Sequence, residues 1–265
     1  MTRRTALAGC LVLLVLLSTG CASEQPVPAR SPLPYPPIPQ VSTTPSAAPT
    51  PPATAPRKPG KKPAARSTIG PLNTQRMTGT RGVALTFDDG PHPQWTPKVL
   101  DQLRKAGVKA TFCVVGVKVR KYPTLVRRIV REGHTLCNHS WQHDLKLGSR
   151  KTAQIRADLR RTNQEILRAV PGASIPYYRQ PGGKWTKPVV QVARGLRMKP
   201  LHWDVDPQDW DDTSTPVITR RVAQQARPGS IVLLHDGGGD RSRTLGACPQ
   251  VISSLKRKYG ITLLR

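Results

Sequence analysis

Carboxylates are scarce in this chain: 15 Asp and Glu stand against 42 Lys and Arg over 265 residues, a formal net charge of +27. Aromatic side chains are scarcer still, with 5 Trp, 5 Tyr and 2 Phe. A field of this sign favours polyanionic surroundings, and nucleic acid is the first partner to consider. The cations are dispersed, however, and the chain has neither zinc-finger cysteine spacing nor the paired aromatic platform on which single strands stack. Specific nucleic-acid binding is therefore not expected. Long apolar runs are lacking too. The one candidate, Ala6 to Leu17, spans 12 residues, too short to cross a bilayer and suited to a signal peptide.

That run follows Arg3 and Arg4 and ends in Leu17-Ser-Thr-Gly-Cys21, which looks like a bacterial lipoprotein cleavage box. The expectation is a signal peptide over residues 1–21, lipidation at Cys21, and a place on the outer face of the cytoplasmic membrane. Ordinary secretion is the alternative. Prolines are badly spread: 15 of the 28 lie between Ala22 and Pro71, among Ala, Ser and Thr. Proline withholds N–H donors, and small polar side chains bury too little area to offset ordering entropy. Residues 22–78 are therefore expected to form a disordered spacer ahead of a domain at 79–265. That domain keeps 33 Lys and Arg against 14 Asp and Glu, and nothing in its pattern demands a second copy, so a monomer is expected.

Five cysteines reduce to three once Cys10 and Cys21 are assigned to the leader. Cys113 and Cys137 each end a predicted strand; either they pair, or both remain thiols together with Cys248. From Gly82 onward, short apolar runs alternate with helical periodicity. Strands are predicted at 83–87, 108–115, 135–137, 177–178, 198–202, 230–234 and 261–264. Helices are predicted at 96–106, 123–131, 151–170, 186–194, 215–227 and 249–259. Strand followed by helix, about seven times over, implies an α/β fold: a parallel sheet closed into a deformed (β/α) barrel within a ring of helices. Chemistry in such a fold belongs where strands end.

The polar clusters fall at those ends. Thr86-Phe-Asp88-Asp89-Gly90 follows the first strand, and adjacent carboxylates there repel unless a cation or proton intervenes. His139-Ser-Trp-Gln-His143 follows the third; spacing of four places both rings on one side of a helical turn, which suits a divalent metal. Arg179-Gln-Pro-Gly-Gly183, Asp206-Pro-Gln-Asp209-Trp210 and Leu233-Leu-His235-Asp236 follow later strands. No role is evident for His92, His134 or His202. Cys137, two residues before His139, is a possible stray thiolate ligand.

Taken in order from Thr86 to Asp236, these five motifs resemble those of the NodB-type polysaccharide deacetylases, carbohydrate esterase family 4. The resemblance implies that Asp88 is the general base, with Asp89, His139 and His143 as the protein ligands of one divalent metal ion. Zinc is expected first, with cobalt, nickel or manganese also suited to such ligands. It further implies that Arg179 holds Asp88, that His235 is the general acid, and that Asp209 orients and tunes it. Trp210 and Leu233 would receive the acetyl methyl, with Gly182 beside them at a position that is usually aromatic in the family. A backbone N–H there still serves an oxyanion. The implied substrate is an acetylated cell-wall glycan, N-acetylglucosamine in peptidoglycan first. The alternatives are an O-acetyl xylan esterase, a chitin oligosaccharide deacetylase, and a non-catalytic wall-binding protein.

Overall fold

A computed structural model describes residues 66–264. The expected signal peptide, Cys21 and the spacer up to residue 65 lie outside the described residues. Six strands, β1 (Ala84–Asp88), β2 (Thr111–Val114), β3 (Thr135–Asn138), β4 (Tyr177–Tyr178), β5 (Lys199–Pro200) and β6 (Ile231–His235), form one parallel sheet in the order β5-β4-β3-β2-β1-β6. Seven helices accompany it: α1 (Trp95–Ala106), α2 (Gly116–Lys121), α3 (Pro123–Arg131), α4 (Thr152–Ala169), α5 (Lys187–Gly195), α6 (Thr215–Gln225) and α7 (Ser242–Tyr259).

The sheet curls because one stretch of backbone reaches both of its edges. Leu201 N donates to Tyr178 O on the β4 side, while Asp204 N and Val205 N donate to Ile231 O and Leu233 N donates to Val205 O on the β6 side. The architecture is the expected deformed (β/α) barrel. The strand predicted at 261–264 is reduced to a single bridge, Val83 to Ile261. β6 runs along one side of β1 and β2 takes the other from Thr86 onward. The returning chain bonds to β1's approach at Val83, through Val83 N to Gly260 O and Thr262 N to Val83 O.

Strand alternation sorts the side chains between two environments. Leu85, Phe87, Phe112, Val114, Leu136, Val232 and Leu234 belong to the larger core, which they share with apolar residues of α1, α3 and α7. Ala84, Cys113, Cys137, Tyr177, Leu201 and Ile231 form a smaller cluster of their own. Thr86 and Asp88 continue the parity of Ala84, and Leu233 and His235 continue that of Ile231. Cys113 and Cys137 face each other across β2 and β3 and are joined as a disulfide; Cys248 remains a buried free thiol. Cys137 is thereby removed as a metal ligand.

Two boundaries differ from expectation. Residues 66–78, read as the end of the spacer, are bonded to the domain. Gln75 N donates to Pro200 O, His202 N to Gln75 O, and Thr78 N to Gly229 O. The buried Asp204 carboxylate meets Arg76 at 3.1 Å, Arg227 at 2.9 Å and Arg66 at 3.7 Å. Composition marks this segment as linker-like, but its ordering comes from partners more than a hundred residues away. Helix α7 begins seven residues before the expected Pro249, which sits inside it. A proline there leaves the carbonyl of residue 245 without its usual helical donor. Gln102 Nε2 from α1 supplies the replacement, 3.0 Å from Leu245 O. Helix α2 was not anticipated, because Lys118, Arg120 and Lys121 mask the inward position of Val119.

Candidate active site

Parallel pairing places the polar ends of β1 and β6 side by side, with Asp88 in register with His235. Asp88 is almost fully buried and its Oδ1 accepts from Arg179 Nη1 at 2.7 Å. Arg179 is wholly buried and spreads its remaining donors over Thr86 Oγ1 (2.8 Å), Leu201 O (3.3 Å) and His202 O (3.2 Å). A buried guanidinium satisfied by one carboxylate and three neutral acceptors is fixed in orientation, and it fixes Asp88 in turn.

Asp89 adopts φ 72°, a left-handed conformation uncommon for a non-glycine residue. Lys118 Nζ from α2 donates to its backbone carbonyl at 2.6 Å. The loop after β6 packs so closely that a Cβ on Gly238 would lie 2.2 Å from Asp89 Oδ2, so only glycine fits at this approach. Gly237 and Gly238 are therefore packed tightly against Asp89, while Gly239 faces Arg241.

His139 and His143 lie on a loop; the expected helical turn between them does not form. Ser140 (φ 65°) and His143 (φ 60°) bend the chain, and Ser140 Oγ accepts from His143 N at 3.0 Å. The ring centroids are 5.0 Å apart. Nδ1 of His139 lies 2.8 Å from Arg179 O, and a carbonyl only accepts, so Nδ1 carries the proton. Its Nε2 lone pair then faces Asp89 Oδ1 at 3.4 Å, and His143 Nε2 is 3.2 Å from the same oxygen. Ligand atoms of Asp89, His139 and His143 all lie within 4.8 Å of one another. Asp89 Oδ1 is buried with no hydrogen-bond donor. Burial works against its charge, yet the nearby His139, His235 and His143 rings, when protonated, hold the carboxyl well below the usual carboxylate range. An unsatisfied anionic oxygen between two imidazole nitrogens fits a divalent cation.

His235 stands at the end of β6, with Nδ1 2.7 Å from Asp209 Oδ1. Asp209 Oδ2 also accepts from His235 N and from Thr244 Oγ1, each at 2.9 Å. Burial disfavours the imidazolium, but the Asp209 carboxylate outweighs it and raises the His235 pKa to about 9. Arg241, buried, donates to Asp209 O and to Gly237 O, tying the two loops together. Asp236 is buried behind the acidic pair; its Oδ2 accepts from Thr96 Oγ1 at 2.6 Å and burial lifts its pKa to about 7.

These groups border a pocket of about 330 Å³. Gly182, Trp210 and Leu233 line it, together with Asp88, Asp89, His139, His143 and His235. Gly182 is left-handed at φ 59°, and a Cβ there would lie 3.0 Å from Leu145 Cδ2. Leu145, Trp203 and Asp206 also line the pocket and had no assigned contact there in the sequence reading; Asp206 accepts in addition from Gln208 N at 2.8 Å. Trp203 directly follows the strand predicted at 198–202, so its position at a strand end was the available signal. Lys118, Thr244 and Arg241 carried none, since each acts through a backbone or side-chain atom that only folding brings near.

Residues 75–201 match the polysaccharide deacetylase family model. A chitooligosaccharide deacetylase of Bradyrhizobium is 39% identical over 193 residues, covering 69% of this chain and 88% of that protein.

The chain belongs to the polysaccharide deacetylase family.

Among solved structures, a peptidoglycan N-acetylglucosamine deacetylase matches with a TM-score of 0.67 at 33% identity, over 71% of this deacetylase-family chain and 87% of the other. A carbohydrate esterase family 4 pseudoenzyme of Bacillus anthracis matches with a TM-score of 0.64 at 29% identity, over 69% of this chain. The chain spans 64% of the length of that pseudoenzyme.

Proposed function

We propose that this family member is a metal-dependent hydrolase that removes acetyl groups from N-acetylglucosamine in peptidoglycan or a related wall polysaccharide. The observation that carries the reading is the placement of a carboxylate and a raised-pKa imidazole, Asp88 and His235, beside the Asp89, His139 and His143 triad. These three residues would hold one divalent cation, zinc first, which when bound polarises the acetyl carbonyl and lowers the pKa of a water.

Asp88, aimed by Arg179, takes the proton from the attacking water. Asp89 is committed to the cation and unavailable as a base, which separates the roles of two adjacent carboxylates. His235, protonated because Asp209 faces its Nδ1, gives a proton from Nε2 to the departing nitrogen. Thr244 and the His235 amide hold Asp209 so that one carboxylate orients both ring and backbone. Leu233 and Trp210 offer apolar contact to the acetyl methyl, and the backbone N–H at Gly182, which lines the same pocket, would serve the oxyanion. Every residue assigned a proton or metal role is present in this chain, which favours catalysis over a non-catalytic wall-binding role.

The lipoprotein-like box at Cys21 and the proline-rich spacer support an enzyme anchored at the outer face of the membrane, within reach of the wall. Acetate release should be measured in parallel on N-acetylglucosamine oligomers, peptidoglycan and acetylated xylan, with and without chelator. Zinc- or cobalt-dependent release from the amide substrates supports the proposal. Release from xylan alone makes it an esterase, and no metal-dependent release from any of them removes the hydrolase reading.

A further inference from the structure

We infer that this domain carries a second binding surface, separate from the catalytic pocket, for a linear polyol-phosphate chain. A cleft of about 600 Å³ opens between the 66–77 segment and the start of β5. Ile69, Met77, Met198 and Pro200 give it an apolar lining, and Ile69 is 57% exposed. Arg76, Arg194, Arg197 and Lys199 line it as well, and none of its lining residues is a carboxylate. Asp204 lies outside the lining and is shared among Arg66, Arg76 and Arg227, of which Arg76 lines the cleft. Arg194 is held at the cleft by its bond to Asn73 O at 3.1 Å.

Guanidinium groups match phosphate oxygens in geometry as well as charge. The cleft is concave, which admits an extended chain better than the flat face of a bilayer. No aromatic side chain lines it, so bases would find nothing to stack on, and a polyol backbone lying on the apolar residues fits better than a nucleic acid. The cleft shares no lining residue with the catalytic pocket. A wall polymer bound there leaves the pocket open to glycan.

The test uses the full chain and poly(glycerol phosphate), with single-stranded DNA and phosphatidylglycerol vesicles as comparison ligands. Arg194→Glu combined with Arg197→Asn lowers the net charge of the cleft by three; asparagine suits the left-handed backbone of residue 197, at φ 60°. Arg257→Glu with Lys258→Gln removes the same charge from α7, outside the cleft. Poly(glycerol phosphate) binding should weaken at least tenfold in the cleft variant and less than twofold in the α7 variant. Turnover of a soluble N-acetylglucosamine oligomer should be unchanged in both. Equal weakening in the two variants would show a diffuse field and overturn the proposal. So would tighter cleft-dependent binding of DNA or of vesicles than of the polymer, or no polymer binding at all.

Discussion

Lys118 donates its side-chain amine to the backbone carbonyl of Asp89 at 2.6 Å, so a helix that the sequence does not announce braces a carboxylate of the candidate cation site in a left-handed backbone. Such a conformation costs roughly 1–3 kcal/mol and persists only when its surroundings hold it. Lys118→Met should therefore weaken zinc binding about tenfold, as loss of a ligand's outer support generally does. Lys118→Arg should recover part of it. Competition against a chromogenic chelator measures both, and an unchanged affinity in Lys118→Met would remove the bracing role.

Asp88→Asn tests the base directly. The side chain keeps its shape but can no longer take a proton, so turnover should fall at least about a thousandfold, while zinc stoichiometry stays at one. The variant should also lose stability, because Arg179 would then be a buried cation facing a neutral partner. Residual activity within tenfold of the parent would transfer the base role elsewhere.

Under the proposed mechanism the alkaline limb of the rate profile should follow His235. Its raised pKa means the acid form is populated at neutral pH and is lost as pH climbs toward about 9. A cation beside Asp89 opposes that proton, so the limb of the metal-loaded enzyme should fall below the metal-free value. Asp209→Asn removes the carboxylate that raises His235, so the limb should move to lower pH. The same pair contributes stability that is complete below the ordinary histidine pKa and disappears as pH rises through about 9. Urea midpoints against pH should decline over that interval in the parent and lose the decline in Asp209→Asn.

The Cys113–Cys137 disulfide closes a loop with a sequence separation of 24. Loop-closure entropy assigns such a bridge about 3 kcal/mol. Replacing both residues with alanine should lower unfolding free energy by a comparable amount, while activity at 25 °C persists. The neighbouring strand pair still delivers His139 by its hydrogen bonds. A loss under about 0.5 kcal/mol would mean that strand packing alone fixes β2 against β3.

Much of this protein was readable in one dimension because its chemistry sits where short apolar strands end. Alternation alone puts Asp88 on the side of Thr86, and His235 on the side of Leu233. The pairings were not readable. No local signal in residues 66–78 announces that Gln75 bonds to Pro200, that Arg76 meets Asp204, or that Gln102 repairs the helix at Pro249. Cysteine spacing left Cys113 and Cys137 undecided until parallel register set them opposite each other.

Residue order therefore determined which groups are presented at the strand ends. The curl of the sheet decided which of them converge and which supports, Lys118, Thr244 and Arg241 among them, hold them there. The reason is physical: periodicity and composition act over a few neighbouring residues, whereas hydrogen bonds and buried charges here join positions up to about 160 residues apart, and only a folded chain brings those into contact.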